Sequence, residues 1–310
     1  MAGLILDCDP GHDDAVAILL ALASPEAELV GITTVGGNQT LDKTTANALR
    51  ILEFAGRGDV PVTAGADRPL VRERHVAANV HGETGLDGPE LPPPAGTPRP
   101  GHAADYLAAN VAARTLVPTG PLTNVALMLS LHPEARPERI VLMGGAIGEG
   151  NTTPAAEFNI WHDPEAARRV FESGIDVTMV GLDVTHQAIV TPAVAEELRG
   201  VGRAGRFVAE LVDFYSRFHR ERYPELGGSP MHDPVALAYA LRPELLEVRE
   251  ARIEVDCGWG LGRGRTNVDF RGRSGEPNAK VAVGIDSDAF LALLLERISS
   301  LGWMSCPRRL

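Results

Sequence analysis

Four carboxylates stand close together near the start of this chain. The segment Asp7–Asp14 has the sequence DCDPGHDD and carries acidic side chains at positions 7, 9, 13 and 14. Carboxylates at this density repel one another unless a cation or a proton lies between them. Hard oxygen ligands prefer Ca²⁺ or Mg²⁺ to zinc. The segment therefore predicts a site for a hard divalent cation.

Part of this cluster has a simpler explanation. Asp13 and Asp14 could cap a helix that starts there, because carboxylates stabilise the positive end of a helix dipole. Asp7 could solvate a turn. Capping needs only one acidic side chain, however, and it does not explain Asp9, so we favour the cation site.

Short polar motifs recur along the rest of the chain. They are Gly36-Gly37-Asn38, His81–Gly88 (HGETGLDG), Thr119–Asn124 (TGPLTN), Val141–Gly145 (VLMGG), Ala156–Asn159 (AEFN) and Met231–Pro234 (MHDP). Together with DxDPGxDD at the N-terminus, this ordered set resembles the inosine-uridine preferring nucleoside hydrolases over nearly the full length. The resemblance implies a Ca²⁺-dependent enzyme that cleaves the N-glycosidic bond of inosine, uridine or a broader range of ribonucleosides.

The resemblance also implies roles for single residues. The calcium ligands would be Asp9, Asp14, the backbone carbonyl of Thr119 and Asp233. Asp13, Asn38 and Asn159 would contact the ribose hydroxyls, Asn151 and Glu157 the 5′-hydroxyl, and His81, Phe158 and His232 the nucleobase. Asp9 would also be the general base that takes a proton from a calcium-bound water, and His232 the acid for the departing base.

The chemistry of glycosidic cleavage requires residues of these types. Anionic oxygens around the sugar stabilise an oxocarbenium-like transition state. A hard cation can hold two ribose hydroxyls and a water together, and it lowers the pKa of that water. The departing base must be protonated or otherwise stabilised, for which an imidazole is suited. His232 favours inosine or a broad specificity, with uridine next.

Buried strands alternating with helices must position these side chains. Short apolar runs rich in Val, Ile and Leu predict strands at Leu4–Leu6, Leu29–Val35, Val60–Thr63, Thr115–Val117, Arg139–Met143, Asp176–Leu182, Arg252–Val255 and Val281–Ile285. Helices are predicted at Asp13–Ala23, Thr40–Ala55, Leu122–Leu131, Pro164–Glu172, Pro192–Leu198, Ala204–Glu221, Pro234–Ala240 and Asp288–Ser300. This alternation favours a single α/β domain over residues 1–310, with a doubly wound, mostly parallel sheet flanked by helices, as in nucleoside hydrolases. Ligands bind such sheets at the carboxyl ends of the strands.

Two segments interrupt this pattern. Gly88–Gly101 (GPELPPPAGTPRPG) is rich in proline, and we interpret it as a surface loop because strand–helix alternation continues on both sides. The stretch Asp105–Ala113 runs into Thr115–Val117 with less room for a turn than the family resemblance implies. The shorter connection before this strand affects the position of Thr119, and with it the position of one expected calcium ligand.

Composition restricts the partners and the compartment. The 310 residues carry a formal charge of −12, which disfavours binding to nucleic acid or to an anionic membrane. Cys8, Cys257 and Cys306 form no disulfide or zinc pattern and predict reduced thiols. The N-terminus lacks the basic region of a signal peptide. We therefore expect a soluble, cytoplasmic protein, and the family resemblance implies a homodimer or homotetramer acting on a small-molecule nucleoside.

Several of these residues also have structural interpretations. Asn38 could simply be a turn residue, Asp233 a helix N-cap, His81 a solvated side chain and Phe158 part of the core. The remaining histidines, namely His12, His75, His102, His132, His162, His186 and His219, are interpreted as structural or surface residues. The basic, aromatic segment 216–228 is either a solvated helix end or a mobile flap in which Tyr223 contacts the nucleobase.

Other functions remain open alternatives. Asp7-Cys8-Asp9 after a first strand imitates the DxD motif of haloacid-dehalogenase-type phosphatases, although Asp13 and Asp14 would then repel the phosphate. A calcium-dependent binder of nucleosides or ribose without turnover is a second alternative, against which the presence of Asp9 and His232 argues. A nucleoside phosphorylase is conceivable, but no basic phosphate-binding motif accompanies the acidic cluster.

Overall fold

The structure, a computed structural model, describes residues 2–301 of the chain. These residues contain eleven strands and twelve α-helices. The strands are β1 (Ala2–Cys8), β2 (Ala27–Thr34), β3 (Val62–Ala64), β4 (Thr115–Pro118), β5 (Arg139–Met143), β6 (Val177–Val180), β7 (Ile189–Val190), β8 (Ser229–Pro230), β9 (Leu246–Val255), β10 (Thr266–Asp269) and β11 (Ala279–Ile285). The helices are α1 (His12–Ala23), α2 (Leu41–Phe54), α3 (Ala78–His81), α4 (Ala103–Asn110), α5 (Thr123–Leu131), α6 (Phe158–His162), α7 (Pro164–Phe171), α8 (Leu182–Thr185), α9 (Pro192–Gly200), α10 (Arg203–Arg222), α11 (His232–Leu241) and α12 (Ser287–Leu301).

Nine of these strands form one sheet in the order β10-β9-β11-β6-β5-β4-β1-β2-β3. The seven strands from β11 to β3 run parallel, whereas β9 and β10 are antiparallel to their neighbours. The predicted mostly parallel, doubly wound sheet is confirmed. β7 and β8 form a separate antiparallel pair.

The chain changes direction at the centre of the sheet. From β1 it proceeds outward through β2 to β3, and it then returns to β4 and proceeds the other way through β5 to β6. Crossover connections on opposite sides of such a point leave a crevice at the carboxyl ends of the two central strands. Here that crevice lies between β1 and β4. The segments that follow these two strands contain Asp9 and Thr119.

Alternating side chains of the central strands pack in two apolar layers. Leu4 and Leu6 belong to one buried cluster, with residues of α1, α2, α10, α11 and α12. Ile5, between them, belongs to the other cluster, with residues of α4, α5 and α7. Because side chains in a strand alternate between the faces, the sheet is covered on both sides. This burial explains why the predicted strands are almost continuously apolar.

The sequence prediction missed the polar edge of the sheet. All eight predicted strands and all eight predicted helices are present, with shifts at their ends. β10 was not predicted, because its sequence TNVD is short and polar. β9 is longer than the predicted Arg252–Val255, because charged residues alternate with apolar ones along an antiparallel strand that is only partly buried.

The short connection before β4 is closed by an unusual backbone conformation. Helix α4 ends at Asn110, and β4 begins at Thr115. Between them Ala113 has a φ of 56°, the one positive φ of a non-glycine residue in the described chain. The Arg114 N–H donates to the Val111 carbonyl at 3.0 Å. A left-handed residue thus turns the chain within four residues, and the segment that follows β4 reaches the crevice.

The proline-rich segment Gly88–Gly101 runs along the surface beside the outer strands. The backbone nitrogen of Arg99 donates to the Val62 carbonyl at 2.7 Å, and Glu53 accepts from the backbone of Ala95. Among the described residues, no helix is both long enough and apolar enough to cross a lipid bilayer. Cys8 and Cys257 are free thiols, whereas Cys306 lies outside the described residues.

Candidate active site

A cavity of about 360 Å³ opens at the central crevice. Eleven of the residues that the sequence analysis assigns to the site contribute to its walls: Asp13, Asn38, His81, Thr119, Asn151, Glu157, Phe158, Asn159, Tyr223, His232 and Asp233. Asp9 and Asp14 do not line the cavity. Both are completely buried, and both contact residues that line it, Asp9 through Asn38 and Asp14 through Asn38 and Thr119. The motifs that follow the strands therefore meet at one place, although they are far apart in the sequence.

Three buried carboxylates come together where two helices begin. Asp13 and Asp14 lie in the first turn of α1, and Asp233 lies in the first turn of α11. One oxygen from each lies within 4.8 Å of the others. The positive ends of both helix dipoles face this group and offset part of the repulsion. This group contains Asp14 and Asp233, two of the calcium ligands expected from the sequence, and in addition Asp13.

Asp9 is enclosed by backbone rather than by side chains. Its Oδ2 accepts from the backbone nitrogen of Asn38 at 2.6 Å, whereas its buried Oδ1 has no hydrogen-bond partner. A Cβ at Gly37 would lie 2.2 Å from Oδ2, and a Cβ at Gly120 would lie 2.6 Å from Oδ1. Glycine is therefore required on both sides of this carboxylate.

Asp14 and Thr119 are joined by hydrogen bonds. The Thr119 hydroxyl donates to Asp14 Oδ1 at 2.9 Å, and the Gly11 backbone N–H donates to Oδ2 at 2.9 Å. The Thr119 carbonyl accepts from Asn159 Nδ2 at 2.7 Å and retains a second lone pair. The side chain of Thr119 thus orients a carboxylate, while its carbonyl lines the cavity.

The acidic cluster favours bound protons or a bound cation. Burial, followed by the charge of neighbouring carboxylates, raises the pKa values of Asp9 and Asp233 well above the usual range. For the same reasons the pKa of Asp13 is raised to about 7. A divalent cation would relieve this repulsion. The donor atoms are all oxygens, and one of them, Asp9 Oδ1, is buried without a partner, so the cluster fits a hard cation.

Two amides present their oxygens to the cavity. Asn38 Nδ2 donates to Asp14 Oδ2 at 3.1 Å, and Asn159 Nδ2 donates to the Thr119 and Met143 carbonyls at 2.7 and 3.2 Å. Within the described chain neither Oδ1 atom accepts a hydrogen bond, so both can accept from a ligand. Accepting oxygens beside a cation site are suited to sugar hydroxyls.

Glu157 organises the adjoining wall. Its Oε1 accepts from the Asn159 N–H at 2.9 Å and its Oε2 from the Gly145 N–H at 2.9 Å, so the carboxylate joins the start of α6 to the turn after β5. Burial raises its pKa to about 7. Asn151 Oδ1 accepts from the Phe158 N–H at 2.9 Å, which leaves its amide group free to donate. Phe158 is only partly buried and stands at the cavity rather than in the core.

Aromatic rings line another part of the cavity. We call the set His81, His186, Tyr215, His219, Tyr223 and His232 the aromatic wall. The ring centroids of neighbouring residues in the aromatic wall lie 4.4–6.4 Å apart. The His232 Nδ1 lies 2.7 Å from the Thr185 hydroxyl. Burial lowers the pKa values of His81 and His232 well below the usual range, so both rings are neutral.

Several residues that line the cavity are not predicted as site residues from the sequence. His75, His186 and His219 are interpreted there as structural or surface residues, Phe218 falls in the segment 216–228 without a role of its own, and Tyr215 is assigned no role, yet all five line the cavity. Tyr215, His219 and Tyr223 follow one another at intervals of four residues at the end of α10. Such spacing places side chains on one face of a helix. This four-residue spacing of aromatic side chains could have been used to predict an aromatic face at the end of α10.

The chain matches the family model described as "Inosine-uridine preferring nucleoside hydrolase" over residues 4–292. It is 50% identical over 304 residues to the pyrimidine-specific ribonucleoside hydrolase RihA of Shewanella sp. (strain ANA-3), covering 96% of both chains. It is 49% identical to the enzyme of the same name from Salmonella schwarzengrund, covering 95% of this chain and 97% of that one. Among solved structures, the purine-preferring ribonucleoside hydrolase from Gardnerella vaginalis superposes with a TM-score of 0.92 at 38% identity, covering 98% of this chain and 100% of that one. With the acidic cluster, the amide oxygens and the aromatic wall all in one cavity, these similarities place the chain in the inosine-uridine preferring nucleoside hydrolase family.

Proposed function

We propose that the protein hydrolyses the N-glycosidic bond of ribonucleosides, with Ca²⁺ bound, to give ribose and a free nucleobase. The observation that supports this most strongly is the arrangement of one cavity, in which buried carboxylates lie beside amide oxygens and an aromatic wall. Carboxylates and amides suit a ribose, and stacked rings suit a planar base. A cavity of about 360 Å³ has the size of a small-molecule site.

Asp9, Asp14, the Thr119 carbonyl and Asp233 are the proposed calcium ligands. Ca²⁺ prefers six to eight oxygen ligands. Three carboxylates and one carbonyl would supply part of this set, and a water and the ribose hydroxyls would complete it. When bound, the ion would lower the pKa of the attacking water and hold vicinal ribose hydroxyls. Asp13, whose oxygen lies in the same 4.8 Å group, is proposed to accept a hydrogen bond from a ribose hydroxyl.

The residues around the sugar are proposed to act by charge and by orientation. Asp9 Oδ1, which has no other partner, takes the proton of the attacking water. The free oxygens of Asn38 and Asn159 accept from ribose hydroxyls, and Asn151 and Glu157 bind the 5′-hydroxyl. Anionic and accepting oxygens on several sides of the ring stabilise the positive charge that develops on it as the bond breaks.

The departing base is proposed to receive its proton from His232. If the Thr185 hydroxyl donates to Nδ1, the single proton of the neutral ring is on Nε2. A neutral imidazole in this state donates a hydrogen bond to the base. For proton transfer, Nδ1 takes up a proton from solvent as negative charge builds on the base, with the Thr185 hydroxyl turning to accept from it, and the ring is neutral again once the Nε2 proton has passed to the base. Phe158 and the aromatic wall hold the plane of the base during this step.

Uridine is the proposed best substrate. The relatives at 50% and 49% identity are named pyrimidine-specific, whereas the solved structure at 38% identity is named purine-preferring. The sequence motifs indicate inosine, uridine or a broad specificity. Uridine is the nucleoside on which the more similar relatives and the motifs agree.

The direct test is a panel of inosine, adenosine, guanosine, uridine and cytidine, each assayed for free ribose in Ca²⁺ and in chelator. We expect ribose release from uridine, lost in chelator and restored by added Ca²⁺. An aryl phosphate in the same buffers tests the phosphatase alternative, and ribose yield after long incubation tests binding without turnover. No ribose from any nucleoside in Ca²⁺ would contradict the proposal.

A further inference from the structure

The loop after β5 contains cavity residues but is anchored by a side chain outside the cavity. Asn151 and Thr152, in this loop, line the cavity, whereas Asp183, in the single turn of α8, does not. Asp183 Oδ2 accepts from the backbone N–H of Ile147 at 2.6 Å, and its Oδ1 accepts from that of Gly148 at 3.0 Å. Hydrogen bonds from backbone N–H groups to a carboxylate are stronger than those between neutral groups. One carboxylate therefore holds two successive residues of the loop.

The part of the loop that carries Asn151 has no other anchor of this kind. In the described structure, the hydrogen bonds of residues 149–156 all stay within residues 149–158. They include the bond from the Phe158 N–H to Asn151 Oδ1 at 2.9 Å, which connects the loop to α6. The Asp183 carboxylate is thus the last side chain from outside the loop that bonds to it before Asn151.

Glycine makes this segment flexible, so its position depends on the anchor. A Cβ at Gly150 would lie 2.2 Å from the Ala156 carbonyl oxygen, so the close approach of two backbone segments requires glycine there. Gly148 is exposed, and a Cβ there would lie 3.1 Å from Asp183 Oδ1. Glycine has more backbone freedom to lose on folding than any other residue. Without the carboxylate, residues 147–151 would therefore spend less time in the conformation that lines the cavity.

The same turn of α8 also supports the base side of the cavity. The Leu182 N–H donates to the Gly145 carbonyl at 3.0 Å, which joins the start of the turn to the end of β5. The Thr185 hydroxyl lies 2.7 Å from His232 Nδ1, and His186 belongs to the aromatic wall. One turn of helix thus fixes the loop after β5 relative to the side chains proposed to contact the base.

We propose that Asp183 is a positioning residue that holds the loop 147–152 so that the Asn151 amide reaches the 5′-hydroxyl of the ribose. The inference rests on the proposed nucleoside hydrolysis and deepens it, because it makes recognition of one substrate hydroxyl depend on a contact outside the cavity. Uridine and 5′-deoxyuridine differ in this hydroxyl alone. A substitution that acts through Asn151 should therefore affect uridine and spare 5′-deoxyuridine.

Amide hydrogen exchange of the full chain tests the anchor without any turnover. Asp183→Ala removes both acceptors, and we expect peptides covering residues 146–152 to exchange at least about tenfold faster while those from β5 and α7 keep their rates. Asp183→Asn, which retains one acceptor oxygen, should show the same pattern to a smaller extent. Gln187→Ala is the matched control, because Gln187 Nε2 donates to the Asp183 carbonyl on the same turn. Unchanged exchange of residues 146–152 in Asp183→Ala would overturn the proposal.

Kinetics test the consequence for recognition, with uracil release measured for both nucleosides. Asp183→Ala should raise KM for uridine about five- to tenfold, the usual effect of losing one neutral hydrogen bond, with kcat less affected. For 5′-deoxyuridine the same substitution should change KM less than about twofold, and Gln187→Ala should change neither KM by more than that. Equal rises on both nucleosides in Asp183→Ala, or the same selective rise in Gln187→Ala, would overturn the proposal while leaving nucleoside hydrolysis intact. Failure of the proposed function itself would appear instead as no uracil from the unaltered enzyme.

Discussion

Asp9 has two proposed tasks, as a general base and as a calcium ligand, and its surroundings suit both. One oxygen is held by the Asn38 backbone, and the other is buried without a partner. We expect Asp9→Ala to lower kcat for uridine at least about 10³-fold, because a positioned base and a metal ligand are lost together. Ribose release under saturating uridine and Ca²⁺ measures this. Activity within a factor of ten of the unaltered enzyme would contradict the assignment.

His232 should matter only when the leaving base needs a proton. We expect His232→Gln to lower kcat for uridine by about 10²- to 10⁴-fold. An activated aryl riboside, whose leaving group is stable as an anion, should lose less than tenfold. Surface residue His132, which pairs with Asp105, supplies the control His132→Gln. Equal losses on both substrates would show that His232 does not protonate the base.

For single residues, the sequence was sufficient to predict which side chains contribute to the site. Carboxylates, amides and histidines in short motifs have the functional groups that the chemistry needs, and 11 of the predicted site residues do line the cavity. His186 and His219 were not predicted, because nothing in their immediate sequence shows which way a helix face points. His12 was also interpreted as structural, and its hydrogen bond to His81 depends on a loop that is remote in sequence.

Among the structural elements, the loop after β2 leaves no room for a side chain beside Asp9. A methyl group at Gly37 would lie 2.2 Å from Asp9 Oδ2, so Gly37→Ala should displace that carboxylate. We expect Ca²⁺ affinity to fall at least about tenfold, or roughly 1.4 kcal/mol. Calorimetric titration with Ca²⁺ measures the change. Gly58→Ala, where a new Cβ meets nothing within 4 Å, is the matched control. Unchanged affinity in Gly37→Ala would argue against Asp9 as a ligand.

The C-terminal end of α10 is the element proposed to contact the base. Tyr223 follows the helix directly and lies 5.9 Å from His186 and 6.2 Å from His219, measured between ring centroids. We expect Tyr223→Phe to raise KM for uridine by about three- to tenfold through loss of a hydroxyl contact. Tyr106→Phe is the control, because its hydroxyl donates to the Val30 carbonyl outside the cavity. Unchanged kinetics on every nucleoside would remove Tyr223 from the site.

Elements differed in how well they could be predicted. The parallel strands are buried on both faces, so continuous apolar runs revealed them. β10 is polar and short, yet its Thr266 hydroxyl donates to the Ala146 carbonyl at 2.6 Å and thereby supports the turn that binds Glu157. The same hydroxyl accepts from the Ala146 N–H at 3.0 Å. No local sequence pattern indicates these two hydrogen bonds between distant segments.

For the whole molecule, the buried acids couple stability to pH and, under the proposed function, to Ca²⁺. Burial raises the pKa values of Asp7 and Glu157 to about 7 in the folded chain, above their usual values of 3.8 and 4.5. Between those values and pH 7 the folded state holds protons that the unfolded chain has released. The contribution of these two carboxyls to the free energy of unfolding in chelator is therefore lost as pH rises through about 7. Buried histidines such as His81 and His232, whose pKa values are lowered, act in the opposite direction, but only below their usual value of 6.5.

Thermal unfolding at pH 7 and pH 8.5 would measure this effect, because the histidines are then largely neutral in both the folded and the unfolded chain, and we expect a lower Tm at the higher pH in chelator. Added Ca²⁺ should raise Tm more at pH 8.5, because the cluster is then more fully ionised and the ion displaces fewer protons. A chelator Tm that increases with pH would show that these carboxyls are ionised without a cation.

The topology of the whole chain could be predicted only in outline. Strand–helix alternation favours a doubly wound sheet, and motifs after strands predict a shared edge. The strand order, which places the crevice between β1 and β4, depends on long-range pairing that one sequence does not display. The described helices and strands nevertheless bring eleven of the predicted residues to one cavity, whereas Asp9 and Asp14 are buried and do not line it.

The acidic cluster joins Asp13 and Asp14, near the start of the chain, to Asp233 in its last third. During synthesis the first two carboxylates leave the ribosome long before their third partner exists. Contacts between such distant segments form late, after the long intervening loop has closed. Ca²⁺ capture should therefore mark the completion of folding, and a nascent chain should have no hydrolytic activity until α11 has docked.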